Sequence, residues 1–301
     1  MATTMYELHP GLAPVARALD RVEPILPVET ARARRLLSDA LAPITGSVWP
    51  EISHRLSLLT NTGIPVEFSW STGPTALRWT AEVAGPETPK VDRLAIASRL
   101  AGVEAGWLEE IQAGRHLRYG AWLGGRHRGE TDELKVYAEL PAGVPARPPV
   151  RHPALDGLEI EWRIGGVAST GTIELYGRGD IDGPVIDRCE RAAFGTTGGL
   201  LAAVSRLLGT SELRRPALFS IAIDRDGDVE AVTWFGFAQR LFPGHDESLA
   251  ALEPWCPDDC HVNLLRALAA GADDGRWRVG LIGVRLAAAG WTSLQAAIRP
   301  S

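Results

Sequence analysis

Strands come in adjacent pairs in this chain, and helices stand between most of the pairs. Runs rich in β-branched and aromatic residues, bounded by turn residues, read as hairpins. GIPVEFSW and ALRWTAEV meet at a Ser-Thr-Gly-Pro turn. RYGAWLGGRH (118–127) and ELKVYAELP (133–141) meet at GETD. LEIEWRIGG (158–166) precedes GTIELYGRG (171–179), and LFSIAIDRD (218–226) precedes VEAVTWFGFAQ (229–239) around Gly227. RWRVGLIGVRLA (276–287) leads to TSLQAAIRP (292–300). Only antiparallel neighbours can be joined by a tight turn. Single strands alternating with helices would argue for parallel units instead. Five hairpins make ten antiparallel strands in an α+β chain.

The helical segments fill the gaps. Thr30 to Ala42, Ser47 to Thr60 and Val91 to Ala113 carry apolar residues at helical spacing. Pro184 to Leu208 does so with a break at Gly195–Gly199, and shorter helices are expected near 246–253 and 260–271. The reading is one domain over 1–301, with a helical region over about 1–60 packed on the strands. The proline-rich stretch 141–153 reads as an ordered surface loop, with a domain linker as the alternative.

Alternation assigns the faces. Leu134, Val136, Ala138 and Leu140 oppose Lys135, Tyr137 and Glu139; Leu77, Trp79, Ala81 and Val83 oppose Arg78, Thr80 and Glu82. Ile173 and Leu175 oppose Glu174, Tyr176 and Arg178, and Leu158, Ile160, Trp162 and Ile164 oppose Glu159, Glu161 and Arg163. Helices need apolar partners, so the polar faces turn away from them. An open sheet would leave those faces solvated; a closed one would line a lumen wide enough for a ligand. Glu67 and Arg78, an acid and a base on paired strands, fit the second case.

Three motifs in this order resemble the aromatic prenyltransferases of the ABBA or PT-barrel fold, in particular the dimethylallyltryptophan synthase-like branch and its bacterial relatives. LTNTGIPVEFSW is similar to that family's Gly-x-Pro-x-Glu-x-Ser segment. LRWTAEVAGPE is similar to the strand that follows, and LKVYAELP to its Lys-x-Tyr strand. The resemblance implies a ten-stranded antiparallel barrel surrounded by helices, with the active site in its lumen. It implies transfer of a dimethylallyl or other short prenyl group from its diphosphate to an indole-like or other electron-rich acceptor. Glu67 would orient and activate the acceptor, while Arg78, Lys135, Tyr137 and Tyr176 would hold the diphosphate. The chemistry suits these residue types: cations and hydroxyls receive the charge of a leaving diphosphate. Aromatic rings shield an allyl cation, and a carboxylate accepts the acceptor's N–H.

The chain departs from the pattern on later strands. Where the family commonly has Arg-x-Lys-x-Tyr, this sequence has Thr172, Glu174 and Tyr176. Thr233, Trp234 and Phe235 stand where polar or tyrosine contacts are expected, and SLQAAI has no tyrosine. Arg178, Arg163, Arg285 or Gln295 would have to rebuild the anion site, and Glu174 would face a cationic part of the acceptor. These departures keep two other readings open: a barrel of the same fold catalysing cyclisation or rearrangement without prenyl diphosphate, and a non-catalytic barrel for a hydrophobic ligand.

His127 is the candidate proton acceptor, since an imidazole titrates near neutral pH; a surface histidine beside a turn is the bland reading. Trp234 is a candidate cation shield, although a tryptophan on such a strand is more often core. Gly195–Gly199 lacks the Gly-Lys-Ser/Thr ending of a phosphate loop and reads as a helix break. DRDGD (224–228) reads as a hairpin tip, and Cys256, Cys260 and His261 as structural residues with no second ligand pair for zinc. The chain has no Asp-Asp-x-x-Asp motif, so no metal or other cofactor is expected beyond prenyl diphosphate as co-substrate.

A net charge of −6 without a long basic run argues against nucleic acid, and no apolar run approaches the roughly 20 residues of a membrane helix. With three cysteines and no secretory signal, the expected setting is the cytoplasm. The expected partners are the two small-molecule substrates, and a homodimer is compatible with the sequence.

Overall fold

Tight turns set the strand pairing of the computed structural model, which describes residues 12–45, 59, 63–144, 152–156, 158–211, 213, 217–271, 277–288 and 290–300. The strands are β1 Val66–Ser71, β2 Leu77–Glu82, β3 Ala121–Arg128, β4 Thr131–Glu139, β5 Ile160–Ala168, β6 Ile173–Gly179, β7 Ala217–Ile223, β8 Val229–Phe237, β9 Val279–Ala287 and β10 Thr292–Ile298. Gly129, at φ 53°, opens the two-residue turn between β3 and β4. A left-handed glycine there matches the twist of the flanking strands. All neighbours are antiparallel, and β1 pairs with β10 as well as β2, so the ten strands close into a barrel. Closure leaves no edge strand exposed.

Nine α-helices stand among the described residues: α1 Ala13–Val22, α2 Pro27–Thr45, α3 Asp92–Ala101, α4 Gly106–Gln112, α5 Gly183–Phe194, α6 Gly199–Leu208, α7 Ala238–Leu241, α8 His245–Leu252 and α9 Asp259–Ala269. The single helix expected over Val91–Ala113 is two. Gly102 takes φ 63° and ends α3, and its N–H closes on Arg99 O. The helix expected over 47–60 lies outside the described residues except for position 59.

The core lies between the helices and the outer face of the barrel. Trp70, Trp79, Trp234, Phe68 and Phe219 are among its largest fully buried side chains. Cross-strand register keeps that face apolar around the ring: Phe68 pairs with Trp79, Leu123 with Val136, Leu175 with Ile221, Phe219 with Trp234, and Val284 with Leu294. The alternation expected for β5 fails at one point. The register shifts between Trp162 and Ile164, so Trp162 stays with the outer-face Gly177 while Ile164 pairs with Tyr176. The extra residue, Arg163, re-aims everything after it, as bulges do. Its guanidinium meets Glu161 at 2.6 Å on the surface.

Candidate active site

Register also builds the lumen. Ser69 pairs with Arg78, Arg78 with Arg126, and Arg126 with Glu133. Glu67 pairs with Thr80, Thr80 with Gly124, and Gly124 with Lys135. Tyr176 pairs with Ser220, Ser220 with Thr233, Thr233 with Arg285, and Arg285 with Ser293. Directly opposed residues share a face. Glu67, Arg78, Lys135, Tyr137, Glu174, Tyr176 and Arg285 therefore all stand on the inner face. Arg178 shares their parity but is exposed, one position from the end of β6.

Two regions of this face differ sharply. In the first, the Lys135 ammonium meets Glu174 at 2.5 Å and Tyr176 at 3.1 Å. Tyr176 donates to Glu174 Oε2 at 2.6 Å, and Ser220 donates to its Oε1, also at 2.6 Å. Small residues make this possible. Gly166 of β5 lies between Lys135 and Glu174, and a Cβ there would stand 2.5 Å from Lys135 Cε. Tyr137 likewise leans over Gly124, where a Cβ would meet its ring at 2.7 Å.

Burial disfavours the Glu174 carboxylate, but Lys135, Arg285 and the hydrogen bonds from Lys135 and Ser220 outweigh it and hold its pKa down to about 2. Burial works against the Lys135 charge too, and Glu174 overcomes it, so the ammonium titrates above its ordinary range. Burial, then Glu174 and Tyr137, push the Tyr176 phenol well up, keeping it a neutral donor. The rings of Tyr137, Tyr176 and Phe235 line up beside this network, at 5.9 Å and 6.2 Å between successive centroids.

The second region is cationic. Arg78 and Arg285 hydrogen-bond no side chain among the described residues, and Arg126 has only a 3.4 Å contact to Glu133. Burial, followed by the charges of Arg126 and Arg285, pushes the Arg78 guanidinium down to about 9, against opposing pulls from Glu133 and Tyr137. Three guanidiniums on one inner face, two of them acting on the third, suit a multiply charged anion and form a cationic cradle.

Glu67 stands beside the cradle on β1. Burial pushes its carboxyl up to about 7, with Arg299 pulling the other way. No side chain among the described residues hydrogen-bonds it.

Two expected site residues lie elsewhere. His127 is fully buried on the outer face, where it pairs with Leu77. The Trp79 indole N–H donates to its Nε2 at 2.8 Å, and its Nδ1 meets Asp132 at 2.7 Å. An indole nitrogen can only donate, so Nδ1 carries the imidazole proton and gives it to Asp132. Asp132 in turn accepts two hydrogen bonds from Arg32 of α2, both 2.7 Å. His127 thus belongs to a clamp that holds α2 to the barrel, and burial lowers its pKa. The two glycines before it, Gly124 and Gly125, give alternation no side chain to read. Trp234 is also fully buried among outer-face core residues and does not enter the lumen.

Arg126 and Arg299 escaped the sequence reading. Arg126 was legible in principle, since parity within β3 puts it opposite His127. Arg299 follows the last strand, where no local periodicity remains to place it. His261 is held by Asp258, Gly73 O and Thr75, and no His, Cys, Asp or Glu cluster among the described residues forms a metal site.

The ring of ten strands with this inward polar face has counterparts of known structure. A 5-dimethylallyltryptophan synthase from Streptomyces coelicolor superposes with a TM-score of 0.74 at 16% identity, covering 97% of this chain and 98% of that one. The fold is the PT barrel. A 6-dimethylallyltryptophan synthase from Micromonospora olivasterospora, solved in complex with DMASPP and Trp, gives 0.72 at 16% identity over 97% of both chains. AnaPT from Neosartorya fischeri gives 0.70 at 10% identity over 97% of this chain and 95% of that one. No family model and no curated protein sequence matches the chain. The resemblance read from the motifs therefore holds at the level of fold.

Proposed function

We propose that residues 1–301 form one PT-barrel enzyme, an aromatic prenyltransferase that moves a dimethylallyl or other short prenyl group from its diphosphate to an indole-like or other electron-rich acceptor. The observation that carries this reading is that Arg78, Arg126 and Arg285 share the inner face, that the charges of Arg126 and Arg285 act on Arg78, and that among the described residues the one ion pair any of the three makes is the 3.4 Å contact of Arg126 to Glu133. A diphosphate supplies the missing negative charge. As the allylic C–O bond breaks, the guanidiniums take the growing charge on the leaving oxygen. The reading needs no metal, because these side chains supply the positive charge. Tyr137, Tyr176 and Phe235 present ring faces that exclude water from the allyl cation.

The acceptor's aromatic carbon or nitrogen then forms the new bond, and the proton it loses must be taken up. Glu67, with a pKa of about 7, is poised for that role. In its carboxylate form it accepts the ring N–H and raises the electron density of the ring. The solved synthase that holds DMASPP and Trp supports the same pairing of substrates. The enzyme is read as cytoplasmic, with a homodimer compatible; no helix among the described residues is long and apolar enough to cross a membrane.

The test is to incubate the protein with dimethylallyl diphosphate and either indole or L-tryptophan, and to follow product mass. A gain of one prenyl unit supports the proposal. A second reading, cyclisation or rearrangement in the same barrel without prenyl diphosphate, draws support from Glu174, which already neutralises Lys135. Absence of any calorimetric signal with inorganic pyrophosphate would favour it.

A further inference from the structure

Glu174 supplies Lys135 with an anion from within the protein. Its Oε2 takes the Lys135 ammonium at 2.5 Å and the Tyr176 hydroxyl at 2.6 Å, and its Oε1 takes the Ser220 hydroxyl at 2.6 Å. A cation and two hydroxyls are the donor set that a phosphoryl group would recruit. The ammonium is engaged on its other sides as well. It meets the Tyr176 oxygen at 3.1 Å and lies over the Tyr137 and Tyr176 rings, 4.9 Å and 5.2 Å from their centroids. With its pKa held down to about 2, Glu174 is a carboxylate throughout the neutral range. Lys135 is therefore committed to Glu174.

The charges around this pair show what is left for a ligand. Arg78, Arg126 and Arg285 share the inner face with Lys135, and Glu133 and Glu174 are the carboxylates that act among them. Glu174 cancels Lys135. Glu133 meets Arg126 at 3.4 Å with both side chains about a third exposed, so it offsets that charge only in part. Two positive charges and part of a third remain. Glu67 and Arg299, beside them, are of opposite sign and oppose each other. An alkyl monophosphate carries about −1.5 to −2 at pH 7, which matches the remaining charge. A diphosphate ester adds a second phosphate, and the lysine that would receive it already holds a carboxylate.

We propose that the barrel also uses allylic monophosphates as prenyl donors, and that Glu174 is the residue that sets this donor range. The carboxylate takes the place of the second phosphate, and Arg78, Arg126 and Arg285 hold the first. The allylic C–O bond breaks with its electron pair passing to the ester oxygen, where the guanidiniums take up the charge. The acceptor's ring carbon or nitrogen bonds the allylic carbon, its proton passes to Glu67, and inorganic phosphate leaves. This deepens the prenyl-transfer reading and rests on it for the bond-making step; the anion preference set by Glu174 is measured apart from it.

Inorganic phosphate and pyrophosphate are titrated calorimetrically into the full chain. Dimethylallyl monophosphate and diphosphate are each incubated with it and either indole or L-tryptophan. The wild type is expected to bind the two anions within about tenfold of each other, less than one added hydrogen bond to a charged group would give. Both donors are expected to yield a mass gain of one prenyl unit. Glu174→Gln frees Lys135 and should widen the preference for pyrophosphate by roughly 10- to 100-fold. Lys135→Met combined with Glu174→Gln removes both charges and should return the ratio to its wild-type value, and this neutral pair serves where the single variant does not fold. A wild-type preference for pyrophosphate above about tenfold overturns the proposal, as does an unwidened ratio in folded Glu174→Gln. Transfer from the diphosphate alone overturns it too, and leaves prenyl transfer standing. Near-equal binding of the two anions with no transfer from either donor defeats prenyl transfer and supports Glu174 as the built-in counter-anion. Binding of neither anion overturns both.

Discussion

The Lys135–Glu174 network and the Arg78–Arg126–Arg285 cradle share one lumen and obey opposite rules. In the first, Lys135 and Tyr176 both bond Glu174, whose second oxygen takes the Ser220 hydroxyl. A satisfied network is rigid and asks nothing of a ligand. In the second, Arg126 and Arg285 act on Arg78 as like charges, and the one ion pair among the described residues is the 3.4 Å contact of Arg126 to Glu133. Such a cluster raises the energy of the free protein and lowers it again when an anion arrives. Stability is therefore expected to reside in the first region and affinity in the second.

Removing the cradle is the strongest way to break this contrast. The Arg78→Ala, Arg285→Ala double variant is expected to lose roughly 10²- to 10⁴-fold in affinity for inorganic pyrophosphate, at about 1.5–3 kcal/mol for each charged contact. Its melting temperature should hold or rise as like-charge repulsion is relieved. Undiminished pyrophosphate binding by calorimetry would remove the cradle from the donor site.

Glu174→Gln should do the reverse. Breaking a buried ion pair strands Lys135 and costs about 3 kcal/mol of stability, readable as a lower urea midpoint. The freed ammonium should also tighten pyrophosphate binding. A variant as stable as wild type would show that the pair is not structural.

A smaller effect separates the two faces of β3. His127→Ala opens the clamp under α2 and should cost about 2 kcal/mol through a cavity and two lost hydrogen bonds. The pH profile of turnover should keep its shape, because the imidazole does not reach the lumen. Loss of an ionisation from that profile would return His127 to the reaction.

The ionisation itself is assigned to Glu67. Its carboxylate form accepts the N–H, so turnover should rise with pH, level off above about 7, and fall about tenfold per unit below it. Glu67→Gln should flatten that limb. The stability effect has the opposite sign. A carboxyl with a raised folded pKa stabilises fully below the unfolded carboxylate range, and that contribution is lost as the pH climbs through about 7. Melting temperatures of wild type and Glu67→Gln across pH 4–8 would test this.

The barrel was legible because its rules are local. A period of two within each strand and a turn after it decide pairing and facing, and both can be read in runs such as LKVYAELP. Residues on that inner face, including Glu67, Arg78 and Lys135, were accordingly found from alternation and the motifs. Legibility failed where side chains give no parity, as at Gly124-Gly125 before His127, and where a bulge resets it, as at Arg163. It also failed for Trp234, because the outer face of a barrel strand is as rich in aromatics as a lumen would be.

By itself the sequence determined the antiparallel pairs, the helices between them and the polar inner face. These depend on contacts between residues a few positions apart. Only the tertiary structure decided that Arg78 stands opposite Arg126, that Lys135 crosses Gly166 to reach Glu174, and that Arg299 comes beside Glu67 without joining it. Those relations depend on register between strands distant in the chain, on a bulge in β9 and on closure of β10 against β1, none of which leaves a mark in any single stretch of residues.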